Sequence, residues 1–214
     1  MTGGYRPVAA GTGFFVARDR VLTNYHVVKD CKALAIGNNI EGWEIDAQFL
    51  AGDEEADLAL LSARASGISP ARFRTRADEG AGDSWAIVGY PDNAFPILQA
   101  ELDRVTLDPA DIFSGRSTMP FSGEVRHGNS GSPVLDNRGA VVGVVFGKID
   151  SDKLYRGTGM RLDNIGVAIP GRTVLEFLRE NKINVRSATS RGTRGDKELL
   201  EEARNYVRQV TCWR

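Results

Sequence analysis

Short apolar runs separated by turn residues dominate the first three quarters of the chain. Residues 43–49 alternate apolar and polar positions with a period of two, as a half-buried β-strand does. Four further runs are short and continuous, and all of them except 57–61 are rich in β-branched or aromatic residues, which favours strands over helices: 11–17, 57–61, 85–88 and 139–146. The 24 glycines suit tight turns and closely packed corners. This pattern predicts a mainly β protein, built as two packed barrels or a sandwich.

The pattern changes after Pro170. Helical spacing predicts a helix at about 172–182, carried by Val174, Leu175, Phe177 and Leu178. Residues 185–195 are polar and aperiodic, which is typical of a linker or surface loop. A second apolar stripe predicts a helix that Asp196 could cap, and it consists of Leu199, Ala203, Tyr206, Val207 and Val210. Residues 206–213 are β-branched and aromatic, so the last part could instead be a strand.

Composition and charge exclude several classes of function. A formal net charge of −1 excludes a protein that is mainly a basic nucleic-acid binder or mainly a polyacidic chain. No apolar run approaches the ~20 residues that span a bilayer, and the first residues show no signal-peptide pattern. We expect no membrane span in this chain, and either a cytosolic protein or one whose targeting segment is missing from this sequence.

Two cysteines, Cys31 and Cys212, leave two interpretations open. They are either unrelated thiols or the partners of one long-range disulfide. Such a bond would close most of the chain into one loop and stabilise the fold by up to about 5 kcal/mol in the chain-entropy description. It would also indicate an oxidising compartment. Two cysteines exclude a disulfide-dense scaffold and a four-cysteine zinc site.

Three segments carry side chains suited to nucleophilic catalysis. His26 follows an apolar strand, and Asp57 ends an acidic loop at the mouth of another. Each is ordinary alone, as a structural histidine or a strand entry. The third segment, residues 126–135, is specific, because its Gly-Asn-Ser-Gly-Ser-Pro core arises by chance at about one in a few million positions.

The third segment favours an anion-binding loop around Ser130. Gly128 and Gly131 permit backbone conformations that are closed to residues with a Cβ, and they let a substrate carbonyl approach the chain. The amides of Gly128, Asn129 and Ser130 could then converge as an oxyanion hole. A glycine-rich hairpin turn is the alternative for this loop.

In the order His, Asp, Ser, these segments resemble the trypsin-like serine peptidases, and within them the bacterial HtrA/DegP-like branch. The resemblance covers about residues 8–178 and is carried by the serine loop and by residues 11–14, 23–28, 57–60, 88–91, 142–145 and 167–170. It implies a chymotrypsin-like fold: two perpendicular six-stranded antiparallel β-barrels, with the active site in the cleft between them. C-terminal helical segments would follow.

The resemblance implies Ser130 as nucleophile, His26 as general base and then acid, and Asp57 as the carboxylate that orients the imidazole. The chemistry agrees, because a serine hydroxyl is a poor nucleophile until a base takes its proton. A buried carboxylate fixes the histidine tautomer and stabilises the imidazolium. His127, the only other histidine, is expected at the rim of the substrate pocket, because it lies too close to Ser130 in sequence to act as its base.

Substrate-binding residues are expected on the strand that follows the serine loop. Val144, Val145 and Phe146 would line an apolar pocket for aliphatic side chains, and the strand edge as far as Gly147 would hydrogen-bond an extended substrate.

The serine loop also resembles that of glutamyl endopeptidases, but Val145 stands where they have a histidine, which argues against acidic specificity. Glu124 falls where trypsin-type enzymes keep their pocket acid. A solvated turn carboxylate is the alternative.

Several features depart from the family. No Ile-Val-Gly-Gly start is visible, so activation by a freed N-terminus is not expected. HtrA-like members instead order their loops through oligomer or ligand contacts, and residues 107–120 lie where such a loop would be. The residues after Leu178 are too few for the PDZ domain that usually follows in HtrA proteases.

The expected organisation is one protease domain over residues 1–184, a linker or surface loop over 185–195, and a helical or extended tail over 196–214 that docks on the domain. In this context we favour the disulfide, because a Cys31–Cys212 bond would staple the tail near the turn after His26.

The combined expectation is a serine endopeptidase that cleaves unfolded or extended polypeptides through an acyl-enzyme. A catalytically silent peptide-binding or regulatory module is the alternative. No metal-ligand cluster or phosphate loop occurs, so no cofactor, metal or nucleic-acid partner is expected. The expected partners are a polypeptide substrate and either a second copy of the chain or an activating partner. The cysteine pair and the family's habit of export favour a periplasmic or extracellular location.

Overall fold

The computed structural model describes residues 6–38, 43–74, 84–91, 99–107, 118–148, 164–188 and 192–214. In these ranges the protein is mainly β, and its strands form two closed six-stranded antiparallel barrels. The predicted fold class is therefore confirmed. Of the predicted loop over residues 107–120, only Leu107 and the part from residue 118 onwards lie within the described ranges.

The first barrel takes five strands from the N-terminal part of the chain and the sixth from the C-terminus. These strands are β1 (Pro7–Ala17), β2 (Arg20–Thr23), β3 (Ala33–Asn38), β4 (Trp43–Asp53), β5 (Leu58–Ala63) and β14 (Val207–Trp213). Around the barrel they follow the order β1, β14, β3, β4, β5, β2, and pairing of β2 with β1 closes it.

The second barrel consists of β7 (Ser84–Gly89), β8 (Glu101–Leu107), β9 (Met119–Ser122), β12 (Ile165–Pro170), β11 (Val141–Lys148) and β10 (Pro133–Leu135). They pair in that order, and β10 closes the barrel because it pairs with both β7 and β11. Two short strands, β6 (Arg72–Phe73) and β13 (Arg186–Ser187), extend the sheet in parallel beyond β11. Trp85 and Phe121 fill much of the barrel interior, and both are fully buried.

Three helices lie in the described ranges. The single-turn helix α1 (Tyr25–Val28) follows β2. Helix α2 (Gly171–Glu180) covers the region where the apolar spacing predicts a helix, and it buries Val174, Phe177 and Leu178. Helix α3 (Asp196–Ala203) begins at Asp196, but Gly195 occupies the N-cap position that we expected for Asp196. The Gly195 amide donates to the Glu198 carboxylate at 3.2 Å, which satisfies one of the free donors of the helix start.

Strand β14 lies between β1 and β3 and pairs antiparallel with both. Val210 is opposite Gly11 on one side and Ile36 on the other, and residues 207–212 are all buried. The helix predicted from the second apolar stripe therefore ends at Ala203, and the alternative of a strand holds for the last part. Pairing with distant parts of the chain explains why this segment is a strand, because β14 supplies the hydrogen-bond partners that β1 and β3 would otherwise lack.

Cys31 and Cys212 form a disulfide bond, with their Cα atoms 5.4 Å apart. The second of the two interpretations of the cysteine pair is therefore confirmed. Cys31 lies shortly after α1, so the bond ties the segment that follows His26 to the strand that closes the first barrel. The bond spans 181 residues of sequence and restricts the unfolded chain strongly.

We expect Cys212→Ser to lower the free energy of unfolding by about 2–4 kcal/mol, because the unfolded chain regains the entropy that the bond withholds. Denaturant unfolding measures this loss. Cys31→Ser is the matched control and should lose the same amount. Dithiothreitol should destabilise the wild type but neither variant, and a wild type that is indifferent to reductant would contradict the prediction.

Candidate active site

His26 and Asp57 form a hydrogen-bonded pair on the first barrel. His26 lies in α1, and Asp57 lies in the turn between β4 and β5. The His26 Nδ1 and Asp57 Oδ2 atoms are 2.7 Å apart, and the His26 amide donates to Oδ1 at 2.8 Å. Since an ionised carboxylate only accepts hydrogen bonds, Nδ1 carries a hydrogen, and in the neutral ring Nε2 then keeps its lone pair. The carboxylate therefore fixes both the orientation and the tautomer of the ring.

Backbone contacts hold Asp57 beneath the ring. Its carbonyl accepts a hydrogen bond from the Asn24 side chain at 3.0 Å and another from the Tyr25 amide at 3.2 Å. Its φ of 53° is left-handed, a conformation that Asp adopts more readily than most residues. The Asp57 side chain is 11% exposed and the His26 side chain 48%. The ring is thus accessible to a ligand, while its carboxylate partner is shielded from water.

Ser130 lies on the second barrel, in the loop between β9 and β10. Gly128 and Gly131, which flank it, both adopt left-handed φ values, of 91° and 86°, and only glycine does so without cost. The Ser130 hydroxyl donates to the Phe146 carbonyl at 3.4 Å. Within the described ranges, Ser130 makes no hydrogen bond to the His26 ring.

Within the described ranges, the backbone amides of Gly128 and Ser130 are free to bind an anion. Among the described residues, neither the Gly128 amide nor the Ser130 amide donates a hydrogen bond inside the protein. The Asn129 amide donates to the Arg126 carbonyl at 3.1 Å, so the structure narrows the predicted set of three amides to two. Free N–H groups that flank a serine are the donors that an oxyanion hole requires.

A cavity of about 380 Å³ brings the two halves of the site together. His26 and Ser130 both line it. Its other lining residues are Ala9, Ala10 and Val27 from the first barrel, and Val125, Arg126, His127, Gly128, Phe146, Gly147 and Lys148 from the second. The Phe146 ring meets the His26 ring edge-on, with centroids 6.1 Å apart.

The structure places some of the predicted substrate-binding residues at the cavity and others in the hydrophobic cores. His127, Phe146 and Gly147 line the cavity. Val144 and Val145 do not, because both are fully buried in the hydrophobic cores, so their prediction as pocket residues is wrong. Successive side chains of a strand point to opposite faces, and in β11 both faces are covered before Phe146 is reached.

Glu124 is exposed and is not among the residues that line the cavity. The structure therefore favours the alternative, a solvated turn carboxylate, over a pocket acid.

Several residues that line the cavity were not predicted from the sequence, above all Arg126. Its guanidinium contacts Glu101 at 2.8 Å and Asp103 at 3.1 Å, both on β8. Partial burial disfavours the charged guanidinium and so lowers its pKa. The hydrogen bonds to the two carboxylates outweigh this effect and raise the pKa of Arg126. The partners lie more than twenty positions earlier in the chain, so no local pattern could reveal the contact.

No group of three or more His, Cys, Asp or Glu side chains that could hold a metal ion occurs in the part of the chain that the structure describes. None of its helices is long and apolar enough to cross a membrane.

The sequence profile of the trypsin-like peptidase domain matches residues 11–144. This match spans more than half of the chain and includes His26, Asp57 and Ser130, so the chain belongs to the trypsin-like peptidase family.

Two relatives and one solved structure illustrate the similarity. The uncharacterised protein y4bJ of Sinorhizobium fredii is 31% identical over 95% of this chain and 32% of its own length. A probable periplasmic serine endoprotease, DegP-like, of Bartonella henselae is 29% identical over 82% of this chain and 34% of its own length. This chain therefore spans about a third of either relative.

The crystal structure of the Rv3671c protease of Mycobacterium tuberculosis, in an inactive form, superimposes with a TM-score of 0.64. The match covers 82% of this chain and 86% of that one at 23% identity. At this level of identity the comparison supports the fold alone.

We expect Gly131→Ala to destabilise the protein by about 1–3 kcal/mol. Its left-handed φ disfavours a Cβ, and that Cβ would collide with the Thr12 carbonyl oxygen. Thermal and denaturant unfolding would measure the loss. Gly192→Ala is the matched control, since its Cβ would meet nothing within 4 Å, and it should change stability by less than about 0.5 kcal/mol. Equal stability of the two variants would contradict the tight packing of the serine loop.

Proposed function

We propose that the protein is a serine endopeptidase that cleaves peptide bonds of unfolded or extended polypeptides. The observation that carries this proposal is the convergence of three features on one cavity. They are the His26–Asp57 pair, the Ser130 hydroxyl, and two backbone amides that have no acceptor within the described part of the chain. Each feature occurs alone in many proteins, but acyl transfer from a peptide requires all of them.

In the proposed reaction, the Ser130 Oγ attacks the substrate carbonyl carbon while the His26 Nε2 takes the hydroxyl proton. The amides of Gly128 and Ser130 stabilise the negative charge that develops on the carbonyl oxygen. The imidazolium, stabilised by Asp57, then protonates the leaving amine and an acyl-enzyme remains. Water loses a proton to His26, attacks the ester and releases the acid, and the proton returns to Ser130.

The hydroxyl must turn before it reacts. Ser130 donates to the Phe146 carbonyl, so this hydrogen bond has to break before the hydroxyl can donate its proton to the His26 Nε2. Hydrogen bonds of a serine to its base are often long before substrate binds. Ordering of the loops by a ligand, a second copy of the chain or an activating partner would favour this change of hydrogen-bond partner.

Strand β11 supports an extended substrate. Its residues 141–144 pair with β10, whereas within the described ranges Gly147 and Lys148 pair with β12 alone. Among these residues, the edge of β11 from Phe146 onwards is therefore open on the side of Ser130. An extended peptide can add to such an edge through backbone hydrogen bonds, which explains a preference for unfolded chains.

The proposal extends to the domain organisation and the location of the protein. We propose one protease domain that consists of residues 1–184 together with the tail over 196–214, with a connecting loop over 185–195. The tail over 196–214 contributes β14 to the first barrel.

The disulfide and a relative named as periplasmic support a periplasmic or extracellular location, because disulfides persist in oxidising compartments.

One observation favours a second candidate function, a catalytically silent peptide-binding module. The Ser130 hydroxyl contacts the Phe146 carbonyl rather than the His26 ring. A protein that only binds peptides would use the same open edge of β11 without needing the serine to turn.

The purified protein should cleave an unfolded protein such as reduced casein, and mass spectrometry of the products should show internal cuts. Ser130→Ala should abolish cleavage. Asp57→Asn should lower kcat by about 10⁴-fold, because the ring then loses its fixed tautomer. Ser122→Ala, at an exposed position at the end of β9, is the matched control and should remain active. A wild type that binds peptide without cleaving it would instead establish the silent module.

A further inference from the structure

We infer that Thr12 is a positioning residue that holds the serine loop in the conformation of a formed oxyanion hole. This role rests on the proposed function and deepens it. Thr12 lies on β1 of the first barrel and is fully buried, so it touches no substrate. It nevertheless makes hydrogen bonds to two residues of the serine loop on the second barrel.

Thr12 binds two alternate carbonyls of the loop. Its hydroxyl donates to the Gly128 carbonyl at 2.7 Å, and its amide donates to the Ser130 carbonyl at 2.8 Å. In a trans peptide the C=O and the following N–H point in opposite directions. These two bonds therefore also direct the amides of Asn129 and Gly131 away from Thr12.

Those two amides have acceptors elsewhere in the protein. Asn129 donates to the Arg126 carbonyl at 3.1 Å, and Gly131 donates to the Val145 carbonyl at 2.9 Å. Of the four amides from residue 128 to residue 131, those of Gly128 and Ser130 have no acceptor among the residues that the structure describes. The contacts of Thr12 thus account for the two amides that are free to face a substrate oxygen.

The Thr12 hydroxyl has a defined direction. It accepts a hydrogen bond from the Tyr90 amide, just after β7, at 2.9 Å, and its single proton goes to the Gly128 carbonyl. The hydroxyl therefore donates one hydrogen bond and accepts one. Because Thr12 is fully buried, water does not reach this site. Reversing the bond would leave the Gly128 carbonyl facing a lone pair, so the arrangement has one stable orientation.

Thr12 also connects the serine loop to the strand that precedes His26. Its carbonyl accepts a hydrogen bond from the Thr23 hydroxyl at 2.7 Å, and Thr23 ends β2. One buried residue thereby links the element that leads to the base, the loop that carries the nucleophile and the end of β7.

Close packing around Thr12 leaves its partners little room to adjust. A Cβ at residue 131 would collide with the Thr12 carbonyl, and a Cβ at Gly89 would lie 3.0 Å from the Thr12 hydroxyl. If the hydroxyl is removed, the buried Gly128 carbonyl loses its donor. Rotation of the Gly128–Asn129 peptide is then the simplest way to regain a partner, and it misdirects the neighbouring amides.

The test compares Thr12→Val, which removes the hydroxyl at nearly constant volume, with Thr12→Ser, which keeps it. Peptide hydrolysis gives kcat and KM, and a peptide boronate, whose tetrahedral adduct needs the oxyanion hole, gives an affinity. Loss of an oxyanion-hole donor lowers kcat by about 10²–10³-fold. For Thr12→Val we expect a loss of about 10- to 100-fold in kcat, a parallel loss in boronate affinity and little change in KM. Thr12→Ser should stay within about threefold of wild type.

Val174→Ala is the control for stability, because Val174 is buried on α2 and lies outside the serine loop. It should lower the melting temperature and leave kcat within about twofold. Should Thr12→Val not fold, Thr12→Ala removes the same hydroxyl with less bulk.

An active wild type with an equally active folded Thr12→Val would overturn the role of Thr12 and leave the proposed function intact. So would a rise in KM at constant kcat, or a Thr12→Ser variant as impaired as Thr12→Val. A wild type that neither cleaves peptides nor binds the boronate would overturn both.

Discussion

Closure of the first barrel by the C-terminal strand is the constraint on which the rest of the structure depends. Strand β14 pairs with β1 from Pro7 to Phe14 and with β3 on its other side. Without it, both strands would expose unpaired backbone groups. Because β1 also contributes Ala9 and Ala10 to the cavity and Thr12 to the serine loop, the far end of the chain controls the position of the site.

The site itself depends on contact between the two barrels. His26 and Asp57 come from the first barrel, and Ser130 comes from the second. A small relative shift of the barrels would therefore separate the base from the nucleophile. Direct backbone contact prevents such a shift, because Thr12 binds the Ser130 carbonyl and Gly131 leaves no space between them. Within the first barrel, the disulfide joins the segment after α1 to β14.

Much of this arrangement could be predicted from the sequence, and the failures have a common physical cause. The positions of His26, Asp57 and Ser130 are marked by local motifs, since each needs a particular turn or glycine conformation. The register of β14 is not local: Val207 and Val210 continue a helical stripe in sequence, but pairing with β1 and β3 makes them part of a strand.

The substrate pocket was harder to predict for the same reason. Sequence alone does not show which side of β11 faces the cleft, and the structure buries Val144 and Val145. Arg126 and Lys148 enter the cavity because of where neighbouring strands lie. Neither carries a motif of its own.

The most direct test of the account is the intact mass of the protein after treatment with a fluorophosphonate probe. Such a probe reacts only with a serine that is activated by a base and assisted by an oxyanion hole. We expect one adduct on the wild type, located on Ser130, and none on Ser130→Ala. A wild type that remains unlabelled would contradict the claim that the two barrels assemble an activated serine.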